Sequence, residues 1–293
     1  MNKKVKINNV SLQENNFQIL KNINLSFNDN KFIGLLGRNG AGKTSLLSML
    51  SSYRLPTKGE ILIDEEVAFE NENKMGQVTF VYPGDYSEET DKVKDNIELH
   101  KKFNPYFDEE YMNELIHTFK LPLNKSINEL SKGMQSAMNV ALGLAARSPI
   151  TIFDEAYLSM DAPSREIFYE ELLKEQTSYP RLFIMSTHLV AEAEHLFDEV
   201  VIIDQGEILF HEDYETLVSK GARVTGSFDA VSQVVKPYKQ LKEERLGMVK
   251  AVSIYGEDLT TLQEKTRGMN VEIEPITLQV LFNQITKERN NDE

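Results

Sequence analysis

The stretch "KFIGLLGRNGAGKTSLLSML", residues 31–50, constrains the chain more than any other. An apolar run reads as a buried strand, runs straight into glycines, and is followed by apolar residues at helical spacing. The connecting "GRNGAGKT", residues 37–44, fits G-x-x-x-x-G-K-[ST] in the strand–loop–helix setting that such a loop requires. Glycines let successive backbone N–H groups converge on phosphate oxygens, and the helix start adds its positive end. Lys43 then places a point charge on the β- and γ-phosphates, and Thr44 offers a hydroxyl to Mg²⁺. The nucleotide-contacting set expected here is Gly37, Arg38, Asn39, Gly40, Ala41, Gly42, Lys43, Thr44 and Ser45.

Composition narrows what can surround that loop. At 293 residues, the chain suits one large domain with a small appendage. With 41% hydrophobic and 27% charged residues it has ordinary globular composition. The net charge of −14 argues against a general nucleic-acid binder, since phosphate backbones demand clustered Lys and Arg. Residues 221–293 hold ten Lys/Arg against eleven Asp/Glu, so the acidity belongs to the first part. Without cysteine there is neither a disulfide staple nor a thiolate metal site. "MNKKVKINNVSLQ" lacks the apolar core of an export signal. The small-and-apolar run near 137–146 falls short of the roughly 20 residues that span a bilayer, so a membrane role would need a partner chain.

Pattern along the chain predicts an α/β protein. "VKINNVSL" and "NINLSF" alternate as two antiparallel strands linked by "QENNFQILK", which contains Phe17. Residues 88–147 read as a helical insert. Strand–helix alternation then resumes with "ITIF", "APSREIFYEELLKE", "RLFIMST", "LVAEAEHLF" and "EVVIID", the signature of a largely parallel sheet covered by helices. Beyond residue 220, short strands and two helices suggest a small α+β appendage, and "KERNNDE" suggests a frayed tail.

Further residues carry chemistry. "PITIFDEA" ends a strand with adjacent acids. Asp154 is placed to hold the Mg²⁺ shell, and Glu155 to face a water in line with the γ-phosphate as general base. His188 in "STH" emerges from the next strand at the same sheet edge, suited to a γ-phosphate contact. Phe17 is a candidate adenine-stacking ring. "LSKGMQ", residues 130–135, opens a second helix start: Ser131 as N-cap and Gly133 allowing close backbone approach suit a γ-phosphate. Spacing alone does not separate that role from a plain cap on an alanine-rich core helix.

Together these pieces resemble the ATP-binding cassette (ABC) ATPases, in the family's order, over roughly residues 3–218. "GRNGAGKT" resembles their Walker A, "ITIFDE" their Walker B, "LSKGMQ" their signature, "LSMD" at 158–161 their D-loop, and "STH" their switch histidine. The resemblance implies a P-loop NTPase of the ABC type: a mostly parallel core with N-terminal antiparallel strands, a helical subdomain at about 88–147, and a C-terminal α+β extension. It implies an ATPase domain at 1–220 and an accessory domain at 221–293. It also implies ATP and Mg²⁺ as ligands and a head-to-tail dimer with a second copy or a homologous ATPase subunit. In that dimer Ser131 and Gly133 cap the neighbour's ATP and Asp161 lies at the interface.

"LSKGM", the acidic cassette and "PITLQVLFNQIT" are similar to the ATPase subunits of Gram-positive drug and peptide exporters, including the bacitracin-type group. That likeness implies an integral membrane partner, a place at the cytoplasmic face of the membrane, and no nucleic acid. Two departures stand out. Lys132 stands where the signature usually has a glycine, and "FVYPGDYS", residues 80–87, stands where the family places a glutamine. Tyr82, Gly84 and Asp85 are the candidates for that place. A soluble ABC ATPase acting on ribosomes or DNA is the alternative, though paired cassettes or long coiled-coil inserts are missing. A P-loop kinase would leave "LSKGMQ" and "STH" idle.

Overall fold

In the computed structural model, which describes residues 4–288, three sheets are built. β1 (Val5–Glu14) and β2 (Phe17–Phe27) form a hairpin closed by Asn15 and Asn16, both at positive φ (44° and 67°). Asn tolerates that conformation in a tight turn. After β3 (Phe32–Leu36) come β4 (Lys58–Ile63) and β5 (Glu66–Val67), which complete an antiparallel sheet in the order β2-β1-β4-β5.

The chain continues with β6 (Val78–Val81), β7 (Ile150–Asp154), β8 (Leu182–Thr187), β9 (Glu199–Asp204) and β10 (Glu207–Asp213). The six-stranded sheet runs β10-β9-β3-β8-β7-β6, parallel throughout except for β10 at its edge. β3, β7 and β8 are buried at every residue, which is why "FIGLL" and "LFIMST" lack alternation: both faces are covered. On one face, Leu46, Leu47 and Leu50 of helix Lys43–Leu50 join Ile33, Leu35, Ile152 and Ile184. On the other, Phe32, Phe153, Phe183 and Met185 join the helices Lys132–Ala145 and Ala162–Ser178. Each such buried side chain contributes about 1.5–3 kcal/mol. The fold is that expected of an ABC-type P-loop NTPase.

Residues 88–147 are helical, as Val93–Phe103, Glu109–Thr118 and Lys132–Ala145. They are bolted to the sheet layer by Glu175, only 1% exposed, which accepts from Arg147 Nη2 at 2.9 Å and Arg181 Nη1 at 2.7 Å. The segment "LVAEAEHLF" forms less helix than its pattern predicts: one turn, Val190–Ala193, then a 3₁₀ turn, Glu194–Leu196.

The last sheet comprises β11 (Gly221–Ser227), β12 (Lys239–Leu246), β13 (Val249–Tyr255) and β14 (Val271–Pro275), in the order β12-β13-β11-β14. Three helices accompany it rather than the two expected: Phe228–Val235, Leu259–Lys265 and Leu278–Glu288. The charged "KQLKEERL" showed no strand pattern, yet it pairs along β13, where Glu243 meets Lys250 at 3.1 Å and Glu244 meets Arg223 of β11 at 2.7 Å. Cross-strand charge pairing supplies what hydrophobic alternation does not. The final helix touches β12 and buries Leu278, Leu281, Phe282 and Ile285 in the cluster that holds Val190, Leu196 and Leu217. Of the expected frayed tail, residues 287 and 288 end the last helix, and residues 289–293 lie outside the described residues. No described helix is long and apolar enough to cross a membrane.

Candidate active site

Three neighbouring parallel strands end at one edge of the six-stranded sheet. Leu36 at the end of β3 is level with Thr187 of β8, and Asp154 of β7 is level with Ser186. The loops that follow therefore bring the 37–44 segment, Glu155 and His188 together, at the carboxyl edge where open α/β sheets take ligands.

The glycine loop has the backbone its motif requires. Gly42 sits at φ 106°, and a Cβ there would lie 2.6 Å from Leu20. Gly40, at φ 83°, is exposed with no atom within 4 Å of such a Cβ, so the mouth of the loop is open. Asn39 and Thr44 are exposed, Ala41 is buried, and Ser45 is half-buried. Lys43 is 6% exposed; its Nζ donates to the carbonyls of Gly37 at 2.8 Å and Arg38 at 3.4 Å. The same ammonium pairs with Glu155 Oε1 at 3.3 Å. A buried cation satisfied by two weak carbonyl acceptors and one shared carboxylate is available to a phosphate.

Asp154 is 3% exposed and accepts from the Ser186 hydroxyl. Glu155 adopts φ 52°, a left-handed backbone costing roughly 1 kcal/mol for a non-glycine residue, as found where function over-determines geometry. Its Oε1 lies 3.3 Å from His188 Nδ1. The exposed Thr44 hydroxyl and the buried Asp154 carboxylate are hard oxygen donors, the type that fits Mg²⁺. Among the described residues no cluster of three or more His, Asp or Glu forms a metal centre, so most ligands of such an ion would be phosphate oxygens and water.

Other expected residues lie elsewhere. Ser131 Oγ accepts from the Met134 N–H at 3.2 Å and caps Lys132–Ala145. A Cβ on Gly133 would lie 3.0 Å from the Ser159 carbonyl, so this helix start packs on the "LSMD" segment, not on the loop at 37–44. Asp161 caps Ala162–Ser178; hydrogen bonds from Ser164 hold its carboxyl below the usual range. Phe17 needs a correction: it is the first residue of β2, because Asn15 and Asn16 alone make the link. Its ring is 72% exposed.

Sequence reasoning missed two features. Tyr82 packs on Phe80 with ring centroids 4.9 Å apart and meets Tyr53 at 6.1 Å. These rings, with Asp85, Tyr86 and His100, line a cleft of about 470 Å³. Single aromatics scattered in sequence give no warning of such a cluster. Within "FVYPGDYS", Asp85 accepts from the Ser87 N–H at 3.0 Å, and Gly84 faces the Tyr86 ring. The second feature is at Arg38, whose guanidinium turns away from the loop mouth to donate from Nε to Thr286 Oγ1 at 3.0 Å. That partner is 248 residues away in sequence and had no signal at all.

Comparison with known proteins places these residues in context. Residues 20–158 match the family model described as ABC transporter. The chain is 26% identical over 214 residues to the ABC transporter ATP-binding protein YtrB of Bacillus subtilis, covering 72% of this chain and 73% of that protein. It is 29% identical over 207 residues to the sulfate/thiosulfate import ATP-binding protein CysA of Synechocystis sp., covering 69% and 58%. To the spermidine/putrescine import ATP-binding protein PotA of Legionella pneumophila it is 26% identical over 209 residues, covering 70% and 57%. It thus spans less than two thirds of both import proteins. Among solved structures, an ATP binding subunit of an ABC transporter superposes with a TM-score of 0.65 at 19% identity, covering 90% of this chain and 99% of that one. The dimeric cassette MJ0796 bound to ADP and Pi gives 0.62 at 22% identity, covering 72% and 98%.

Proposed function

We propose that this chain, which carries the ATP-binding domain of the ABC transporter family, is the ATP-hydrolysing subunit of a transporter whose membrane-spanning part is a separate chain. The observation that supports it most directly is the meeting of Lys43, Glu155 and His188 beside the glycine loop. Loop, acid and imidazole come from three strands, and their shared edge suits attack of water on a γ-phosphate.

In this reading backbone N–H groups of the glycine loop and the helix start that follows it cradle the ATP phosphates, and Phe17 stacks on the adenine. The phosphates compete with Glu155 for Lys43. Glu155, released from the ammonium, orients the attacking water and takes its proton, while His188 holds the carboxylate at 3.3 Å and reaches the γ-phosphate. Thr44 and Asp154 would hold Mg²⁺, which when bound would neutralise phosphate charge. Ser131 and Gly133 cap the γ-phosphate bound by a second ATPase subunit, either another copy or a homologue, with Asp161 at the seam. Lys132 is exposed and solvated. Most of the rate comes from positioning and charge stabilisation.

The substrate we assign is an exported drug or amphipathic peptide, with phenol-soluble modulins as the peptide class because the chain is also similar to an ATPase subunit of their staphylococcal exporter. The subunit would work at the cytoplasmic face of the membrane. Several relatives are named for import, so direction rests on the signature and C-terminal likeness alone. We assign residues 1–220 to the ATPase domain and 221–293 to an accessory domain that steadies the dimer. The decisive experiment loads the Glu155→Gln chain with Mg-ATP and measures its mass in solution. A dimer is expected; a chain that stays single even beside its membrane subunit overturns the proposal.

A further inference from the structure

The glycine loop is tied to the far end of the chain. Arg38 Nε donates to Thr286 Oγ1 at 3.0 Å, and Thr286 is fully buried. The Thr286 hydroxyl donates in turn to the Phe282 carbonyl at 2.9 Å, which aims its oxygen lone pairs at the guanidinium. The main chain of Arg38 continues the path: its carbonyl accepts from the Ala41 N–H at 3.0 Å and from Lys43 Nζ at 3.4 Å.

The other end of helix Leu278–Glu288 is held by the same site edge. The backbone N–H groups of Leu278 and Gln279 face the Glu194 carboxyl and offset part of the rise that burial gives its pKa, and Thr277 Oγ1 accepts from the Val280 N–H at 3.3 Å. Glu194 belongs to the short helical segment that follows His188. Between these ends Leu278, Leu281 and Phe282 are buried, so the helix cannot slide without breaking apolar contacts. One rigid element therefore spans from the histidine segment to the phosphate loop.

We propose that Thr286 is a positioning residue for nucleotide binding, acting through Arg38: it anchors the Arg38 side chain and thereby fixes the loop carbonyls that aim Lys43. The C-terminal helix thus sets the affinity of the ATPase domain for ATP. This goes beyond the functional reading above and rests on it.

The test uses the full-length protein with Thr286→Val, which keeps shape and removes the hydroxyl, and Thr286→Ser, which keeps the hydroxyl. Affinity is read with a fluorescent ATP analogue, hydrolysis by phosphate release, and folding by thermal melting. Thr286→Val is expected to raise the Kd and KM for ATP about fivefold. Its kcat stays within about twofold and its melting temperature close to wild type, and Thr286→Ser restores the affinity. A Thr286→Val chain with unchanged Kd overturns the inference, and so does a loss of melting temperature and kcat at constant KM, the mark of a merely structural group. In an Arg38→Met background, Thr286→Val is expected to have no further effect; an additive loss overturns the path through Arg38. Failure of the wild-type chain to bind the analogue would instead remove the functional reading, and this inference with it.

Discussion

Lys43 Nζ stands 3.3 Å from Glu155 Oε1, and that one carboxylate oxygen also lies 3.3 Å from His188 Nδ1. The acid proposed as general base is thus neutralised by the cation proposed to bind phosphate. A γ-phosphate competing for the ammonium would release the carboxylate at the moment a water needs it. The pair links substrate binding to activation of the base without a moving domain.

Glu155→Gln keeps the size of the side chain and removes its basicity. Hydrolysis is expected to fall about 10²–10⁴-fold while ATP stays bound. Phosphate release together with retention of labelled ATP checks both halves, and an unchanged turnover would strip Glu155 of its role.

Lys43→Ala acts on the other partner. Charge-assisted contacts to phosphate are the strong ones, so ATP affinity is expected to drop at least about tenfold. Equilibrium titration with a fluorescent nucleotide distinguishes this loss of binding from the loss of turnover in Glu155→Gln.

Gly133→Val tests the close approach at the second helix start. A branched Cβ at 3.0 Å from the Ser159 carbonyl must displace the segment leading to Asp161. Because Gly133 lies away from its own chain's loop, single-chain ATP binding is expected to persist while hydrolysis falls. Equal losses in both assays would contradict the assignment to a neighbour's site.

Tyr255 supplies a pH-dependent prediction. Burial, reinforced by Glu212, pushes its phenol from the ordinary 10.0 up to about 12. A folded value above the unfolded one gives a contribution complete below pH 10 and lost as pH rises toward 12. Its hydroxyl is buried without a hydrogen-bond partner, while its ring meets Phe210 at 5.7 Å. Tyr255→Phe is therefore expected to be as stable as wild type or more so at pH 7. Its melting temperature should also fall less steeply between pH 9 and about 11. Parallel melting curves of the two proteins across that range would refute this.

Much of the site was readable because its parts are contiguous. The glycines of 37–44 specify a backbone that Gly40 and Gly42 adopt at φ 83° and 106°, and the apolar runs of β3, β7 and β8 need no distant partner to be recognised. The short Val190–Ala193 helix was expected to be longer and the charged β12 was not anticipated, because neither carries its stabilisation in its own pattern. One packs against the final helix, and the other is held by Arg223 and Lys250 of neighbouring strands. Phe17 was displaced from loop to strand by a turn of only two asparagines.

By itself, the sequence determined the phosphate loop, the acid pair at the end of β7 and the capped helix starts, since these depend on backbone preferences and short-range hydrogen bonds. Only the tertiary structure decided that Glu155 bridges Lys43 and His188, that Tyr53 joins the Phe80 and Tyr82 rings of "FVYPGDYS", and that Thr286 reaches Arg38. The physical reason is that such contacts are set by strand order and by which apolar face each helix buries. Those are properties of the whole packed chain, which no local stretch encodes.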